Sequence, residues 1–232
     1  MTSSGTFDFS PSNGELVLAA YERIQIRTPE IRQEHMLSAR RELNFLFSQW
    51  SNSSPNLWEV IRTQTTLTAG TATYDVLAKT IMILDASIVL NFGDSNESRR
   101  YITPISRTQY MSFANQQTQG PPTSYWYDRL ISPTVTFWPV PDSNGPYTFD
   151  YFSCTQIQDA DLPIGQTPDV PYRWFDAIVA GMSYRLARIY NPQLEAQRKA
   201  DATEAYAIVT EQDTENVNFS IAPNIGSYYY NR

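Results

Sequence analysis

Among 232 residues the chain has one cysteine, Cys154, and one histidine, His35. A lone thiol makes no internal disulfide, and a single imidazole cannot build a histidine-based zinc or di-metal centre, so structural zinc is excluded. Basic residues are also scarce, 17 Lys and Arg against 24 Asp and Glu, giving a formal net charge of −7 and a pI near 4.7. Gripping nucleic acid by counterion release needs a clustered cationic excess, which this composition lacks; an acidic wall past which DNA slides is compatible with it. No apolar run approaches the roughly 20 residues of a membrane span, and MTSSGTFDFSPSNG has neither the basic lead nor the apolar stretch of a signal peptide, so use without membrane insertion is expected. Walker, GxGxxG and HExxH sequences are missing, as is any fixed repeat of solenoid, collagen or coiled-coil type.

What is abundant is aromatic surface. Aromatics make up 13% of the chain, with 15 Tyr, and tyrosine combines apolar area with a hydroxyl suited to half-wet interfaces. The composition leans toward binding surfaces. At 41% hydrophobic, the chain is long enough for a well-buried core, as one large domain or one domain with an insertion.

The stretch from Ser124 to Cys154 organises the rest. Val135 and Phe137 alternate with Thr134, Thr136 and Trp138, and Tyr147, Phe149 and Tyr151 alternate with Thr148, Asp150 and Phe152, the two-residue period of strands. Between them Pro139, Pro141, Asn144, Gly145 and Pro146 force a turn, so the pattern predicts a hairpin. Upstream, Thr65 to Thr68, Thr73 to Val76, Ile81 to Leu90 and Arg99 to Ile105 read as strands, with Asn91 to Asn96 as a hairpin loop. Turns every 8 to 12 residues or so are the spacing of a small sandwich or barrel. Ser106 caps a short helix through Tyr110, Met111 and Phe113, and QQTQGPPT is a polar loop.

Helices flank this block. Residues 1–13 form a polar lead carrying Phe7 and Phe9; after them Val17, Ala20, Tyr21 and Ile24 share one helical face, with Asn13 as cap. A second helix is predicted from Thr28, with Pro29 at its first position and Glu30 in its first turn, running to about Trp50 and burying Met36, Leu37, Leu43, Phe47 and Trp50. After Cys154 a Pro-rich linker reaches Pro171; then Trp174, Phe175, Ile178, Val179, Met182, Leu186 and Ile189 form the strongest helical stripe in the chain. Asn191-Pro192 opens a last helix, to about Asp213, whose apolar face is thin: Leu194, Ala200, Ala205, Tyr206 and Val209. The remainder is rich in aromatics, unlike ordinary disordered tails, and reads as an arm that orders on a partner.

The predicted fold is α+β: a bundle of N-terminal helices (1–56) and C-terminal helices (172–213), interrupted by an antiparallel β-sandwich or barrel-like insertion (57–157) and a linker (158–171), and followed by an extended arm (214–232).

Catalytic candidates are weak. Paired carboxylates for sugar chemistry stand about 5 to 10 Å apart; Asp159 with Asp161 lie in the linker and Glu30 with Glu34 on a solvated helix face. His35 beside Glu34 has no nucleophile in a recognisable setting, and Cys154 has no local motif. Arg23, Arg27, Arg32, Arg40 and Arg41 make the first helices locally basic, a surface for an acidic neighbour or DNA backbone, or ordinary ion pairing with Glu22, Glu30, Glu34 and Glu42. Arg99 and Arg100 are similar. Tyr125, Trp126, Tyr127 and Trp138 could stack on sugars or fill a sandwich core.

Three features, taken in order, resemble the head-to-tail adaptor proteins of short-tailed phages, also called head completion, packaged-DNA stabilisation or tail tubular A proteins. They are the helix pair ending in Leu43-Asn44-Phe45-Leu46-Phe47-Ser48-Gln49-Trp50, the segments Phe137 to Asp142 and Tyr147 to Tyr151, and the linker entering Pro171-Tyr172-Arg173-Trp174-Phe175-Asp176-Ala177-Ile178. The resemblance implies a ring, typically of about twelve copies, docked under the portal, with tail nozzle or fibre proteins below and double-stranded DNA passing through it. It further implies a C-terminal arm on the portal, for which Phe219, Ile221, Ile225, Tyr228, Tyr229, Tyr230 and Arg232 are the candidate contacts, virion localisation, assembly in the host cytoplasm, and no cofactor. No residue supports carrying over the muralytic activity credited to some members. Structural adaptor is therefore the first reading, a virion-associated glycan-binding module the second, and a cell-wall hydrolase the third.

Overall fold

The computed structural model describes residues 5–6, 8–53, 57–162 and 165–214. In chain order the elements are α1 (Asn13–Arg23), α2 (Gln33–Ser53), β1 (Val60–Leu67), β2 (Thr73–Asp75), β3 (Thr80–Leu90), β4 (Ser98–Tyr101), β5 (Thr103–Pro104) and α3 (Arg107–Met111). They continue with β6 (Ser124–Asp128), β7 (Thr134–Trp138), β8 (Tyr147–Thr155), α4 (Phe175–Tyr190) and α5 (Glu195–Gln212). Short 3-10 turns stand at Thr28–Glu30, Leu57–Glu59, Tyr172–Trp174 and Pro192–Leu194.

The helices on either side of the strands share one core. Val17, Ala20 and Tyr21 of α1, Leu43, Phe47 and Trp50 of α2, and Ile178, Met182 and Leu186 of α4 pack into it, with Trp174 at its centre. Trp50 and Trp174 meet at 5.1 Å between centroids, and Tyr206 of α5 lies against both. Each apolar stripe is thus closed by a helix remote in sequence, as the predicted fold class requires.

The helix starts differ from the sequence reading. Ser12, rather than Asn13, caps α1: its hydroxyl accepts the Glu15 N–H at 3.3 Å while the Glu15 carboxylate accepts the Ser12 N–H at 2.7 Å. Asn13 is buried inside the first turn and donates to the Asp161 carbonyl at 2.9 Å. Thr28–Glu30 closes only one 3-10 turn, because Ile31 after it is extended. The Arg32 carbonyl then accepts the first N–H bonds of α2, and the His35 ring nitrogen Nδ1 accepts the Arg32 N–H at 3.1 Å. Leu37 and Ile189, expected inside, are exposed, as is Ala200.

The strands form two sheets, β1-β8-β3-β4 and β2-β7-β6-β5. Pairing is antiparallel except between β5 and β6, which run parallel. Side chains of both sheets interleave in a second core, among them Ile88, Tyr125, Val135, Phe137, Phe149 and Tyr151. The arrangement is a sandwich. The β3–β4 hairpin forms as predicted, its loop turned by Asn91 and Gly93 at positive φ of 54° and 84°.

The hairpin predicted across Pro139 to Pro146 does not form. β7 and β8 lie in different sheets, and the segment between them, with cis bonds before Pro139 and Pro146, carries the chain from one sheet to the other. The prolines do reverse the chain. They offer no N–H at their own positions for pairing, and the loop is long enough to let the two inward faces meet across the core.

Candidate functional site

Of the side chains that a catalytic reading needs, His35, Asp161 and Glu30 are engaged structurally. His35 has Nδ1 occupied by Arg32 and its ring stacked on Tyr190 at 4.8 Å. Cys154 is buried. Asp161 is held by Arg40 at 2.9 Å and by the Leu162 N–H, whereas Asp159 stands exposed in the connector. Glu30 closes its own turn on the Arg27 N–H at 3.4 Å, and Glu34 is exposed on the first turn of α2. Among the described residues no three His, Cys, Asp or Glu side chains converge as a metal site, and no helix is long and apolar enough to cross a membrane.

The basic helices pair, but with other partners than the sequence suggested. Arg23 reaches Asp176 of α4 at 2.6 Å, Arg40 reaches Asp161, and Glu42 is taken by Arg185 of α4 at 3.1 Å. These are tertiary rather than one-turn pairs, because α1 and α2 lie alongside α4 and the connector.

The aromatics proposed for sugar stacking are used inside the molecule. Tyr125 is buried in the second core, and Tyr127 donates its hydroxyl to the Thr80 carbonyl at 2.8 Å. Trp138 stacks on Phe113 at 4.0 Å, nearly parallel at 16°, and Trp126 on Tyr110 at 5.6 Å. Ser106 starts α3 by accepting the Gln109 N–H at 3.1 Å, and so sets Tyr110 and the Phe113 that follows over the outer side of the second sheet.

Two polar centres have no local sequence signature. Asp150, with its side chain 1% exposed, is reached by Arg62 of the adjacent strand β1 and by Arg99 of β4; Arg62 Nη2 lies 2.6 Å from its carboxylate. Hydrogen bonds from Arg62 foremost, then from Arg99, outweigh the cost of burial and hold its pKa down at about 2. Glu59, buried in the turn before β1, accepts from the Thr155 hydroxyl at 2.8 Å. Burial, reinforced by the neighbouring Asp169 carboxyl, pushes it up to about 7.

Several helix faces carry open apolar surface. On α5 the Val209 side chain is buried and Ala205 and Tyr206 pack on the core, while Ala196, Ala200 and Ala207 with Thr203 line a shallow outward face and Ile208 is 55% exposed. Between α2, α4 and α5 runs a groove of about 290 Å³, lined by Trp50, Ala177, Gly181, Tyr184, Lys199 and Tyr206 among others. Leu37 and Phe45 are exposed on α2. The arm candidates Phe219, Ile221, Ile225, Tyr228, Tyr229, Tyr230 and Arg232 lie outside the described residues.

The model of one protein family, described as SU10 adaptor protein, matches residues 33–224, from the start of α2 through all the strands and the last two helices. No curated protein matches the chain.

Proposed function

Given that the chain belongs to the SU10 adaptor protein family, structural adaptors of the bacteriophage virion, we propose that it forms a ring between portal and tail. The ring, typically of about twelve copies, retains the packaged genome and forms part of the channel for its ejection. The protein acts by contact and performs no turnover. It is assembled in the host cytoplasm.

The observation that carries this reading is the outward face of α5. A helix whose apolar residues divide between a thin inner stripe and an open row of Ala196, Ala200 and Ala207 is completed by a neighbour, and small side chains let another backbone approach closely. One such face meeting a different patch on the next copy is a heterologous contact, the kind that closes into rings. The arm, through Phe219, Ile221, Ile225, Tyr228, Tyr229, Tyr230 and Arg232, docks on the portal. The strands of residues 57–157 meet a tail nozzle or fibre, and the net charge of −7 favours passage of DNA without adhesion.

The test is negative-stain imaging with sedimentation of the protein alone, with its portal, and with residues 216–232 deleted. The proposal expects a ring on the portal that fails to form without the arm. Full-length protein indifferent to the portal would sink it.

A further inference from the structure

We propose that Glu59, Asp169 and Thr155, with Thr80 beside them, bind a hard divalent cation of the calcium type where the strands meet the helical core. This inference stands apart from the adaptor reading.

Glu59 is only 7% exposed, in the turn that leads into β1. Its Oε2 lies 2.8 Å from the Thr155 hydroxyl, which also approaches the Glu59 carbonyl oxygen at 3.2 Å. The Asp169 carboxyl, in the connector before α4, accepts the Gln158 N–H at 3.4 Å, three residues past Thr155, and stands near enough to Glu59 to raise its pKa. Two carboxylates held near one another, one of them buried, repel, and a cation between them relieves the repulsion.

A separate observation favours the cation. Thr80 is the cross-strand partner of Thr155 in the β3–β8 register, and directly opposed residues project from the same face of a sheet. Thr80 is 7% exposed, and its Oγ1 has no hydrogen-bond partner in the structure. Buried hydroxyls are nearly always satisfied, so this one marks a place where a ligand or water completes the shell.

The donors are carboxylate, hydroxyl and carbonyl oxygens, with no nitrogen or sulfur, which suits Ca²⁺ or Mg²⁺ rather than zinc or copper. Ca²⁺ fits better, because it accepts irregular shells completed by water, whereas Mg²⁺ demands near-ideal octahedral geometry. Asp169 is partly exposed and gives the ion a way in. Besides Asp169, the charged group acting on Glu59 is Lys79, whose side chain is exposed and whose effect ranks below that of Asp169. With two carboxylates the affinity belongs in the weak class, about 10⁻⁴ to 10⁻³ M. A bound ion would fasten the start of β1, the end of β8, the start of β3 and the connector to one another, tying both chain crossings between strands and helices.

Thermal unfolding of the full chain near neutral pH, in chelator-treated buffer with and without CaCl2 or MgCl2, tests this. At about ten times the dissociation constant, Ca²⁺ should raise Tm by roughly 3–6 °C, and Mg²⁺ by less. Glu59→Gln and Asp169→Asn should each abolish that rise, with metal-free midpoints no lower than that of the unaltered protein, since the opposition of two carboxylates is gone. Calorimetric titration of the unaltered chain with CaCl2 should show one site that releases protons, a readout independent of whether the variants fold. No calcium response in either assay means that protonation alone relieves the repulsion, and a response that survives both substitutions puts the ion elsewhere; either result overturns the proposal.

Discussion

The Phe137 and Phe149 rings meet edge to face, 4.9 Å apart at 77°, although they come from consecutive strands that lie in different sheets. Each closes the core for the other. Phe137→Ala or Phe149→Ala should therefore cost about 3–5 kcal/mol, measured by chemical denaturation. In a double-mutant cycle the pair should show coupling of about 0.5–1.5 kcal/mol. Additive losses would contradict the facing arrangement.

Asp150 gives a signed pH dependence. Its folded pKa of about 2 is below the ordinary aspartate value of 3.8, so its stabilisation is fully present above about 4 and is lost as pH falls through 2. Asp150→Asn should cost about 2 kcal/mol at neutral pH, a moderate figure because Arg62 and Arg99 stay partly exposed and regain water. The variant's acid-unfolding curve should be flatter than that of the unaltered chain between pH 4 and about 2. Equal slopes would remove Asp150 from the account of acid stability.

Trp126 and Trp138 should behave as structural residues. Each stacks on a side chain of α3 or just beyond it, and the Trp138 Nε1 donates to the Asn115 carbonyl at 3.2 Å. Trp138→Ala should lower stability by about 3 kcal/mol, somewhat less for the more loosely stacked Trp126. Glycan arrays should stay blank for all three proteins. Strong glycan binding abolished by either substitution would revive the lectin reading.

The helical stripes were legible in the sequence because Ile178, Met182 and Leu186 repeat at helical spacing, although Leu37 and Ile189, read as part of such stripes, lie at their edges and are exposed. Ala200 misled because alanine is tolerated on either face of a helix, so a single small residue carries no direction. Local chemistry likewise identified the short helix capped by Ser106 and the β3–β4 loop. Strand pairing was harder: proline and Asn-Gly signal that the chain reverses, but not whether the returning strand pairs beside the first or faces it. Asn13 was read as the cap of α1, but Ser12 takes that place through its reciprocal bonds with Glu15, and Asn13 reaches across to the Asp161 carbonyl instead. Glu59 with Asp169, and Asp150 with its two arginines, come together from distant segments, so no spacing announces them. The family resemblance read from the sequence agrees with the family match over residues 33–224, although the hairpin assigned to one of its segments does not form.

The most direct test of the account is assembly of Ala200→Arg on the purified portal, read by negative-stain imaging, with thermal unfolding as the control for folding. Ala200 is exposed, so the substitution should leave Tm within about 2 °C of the unaltered chain. The account predicts closed rings with the unaltered chain and isolated copies with Ala200→Arg, because a guanidinium in the row of Ala196, Ala200 and Ala207 blocks the approach of a neighbour. Rings of equal yield from both proteins would contradict the assignment of α5 as the contact between copies.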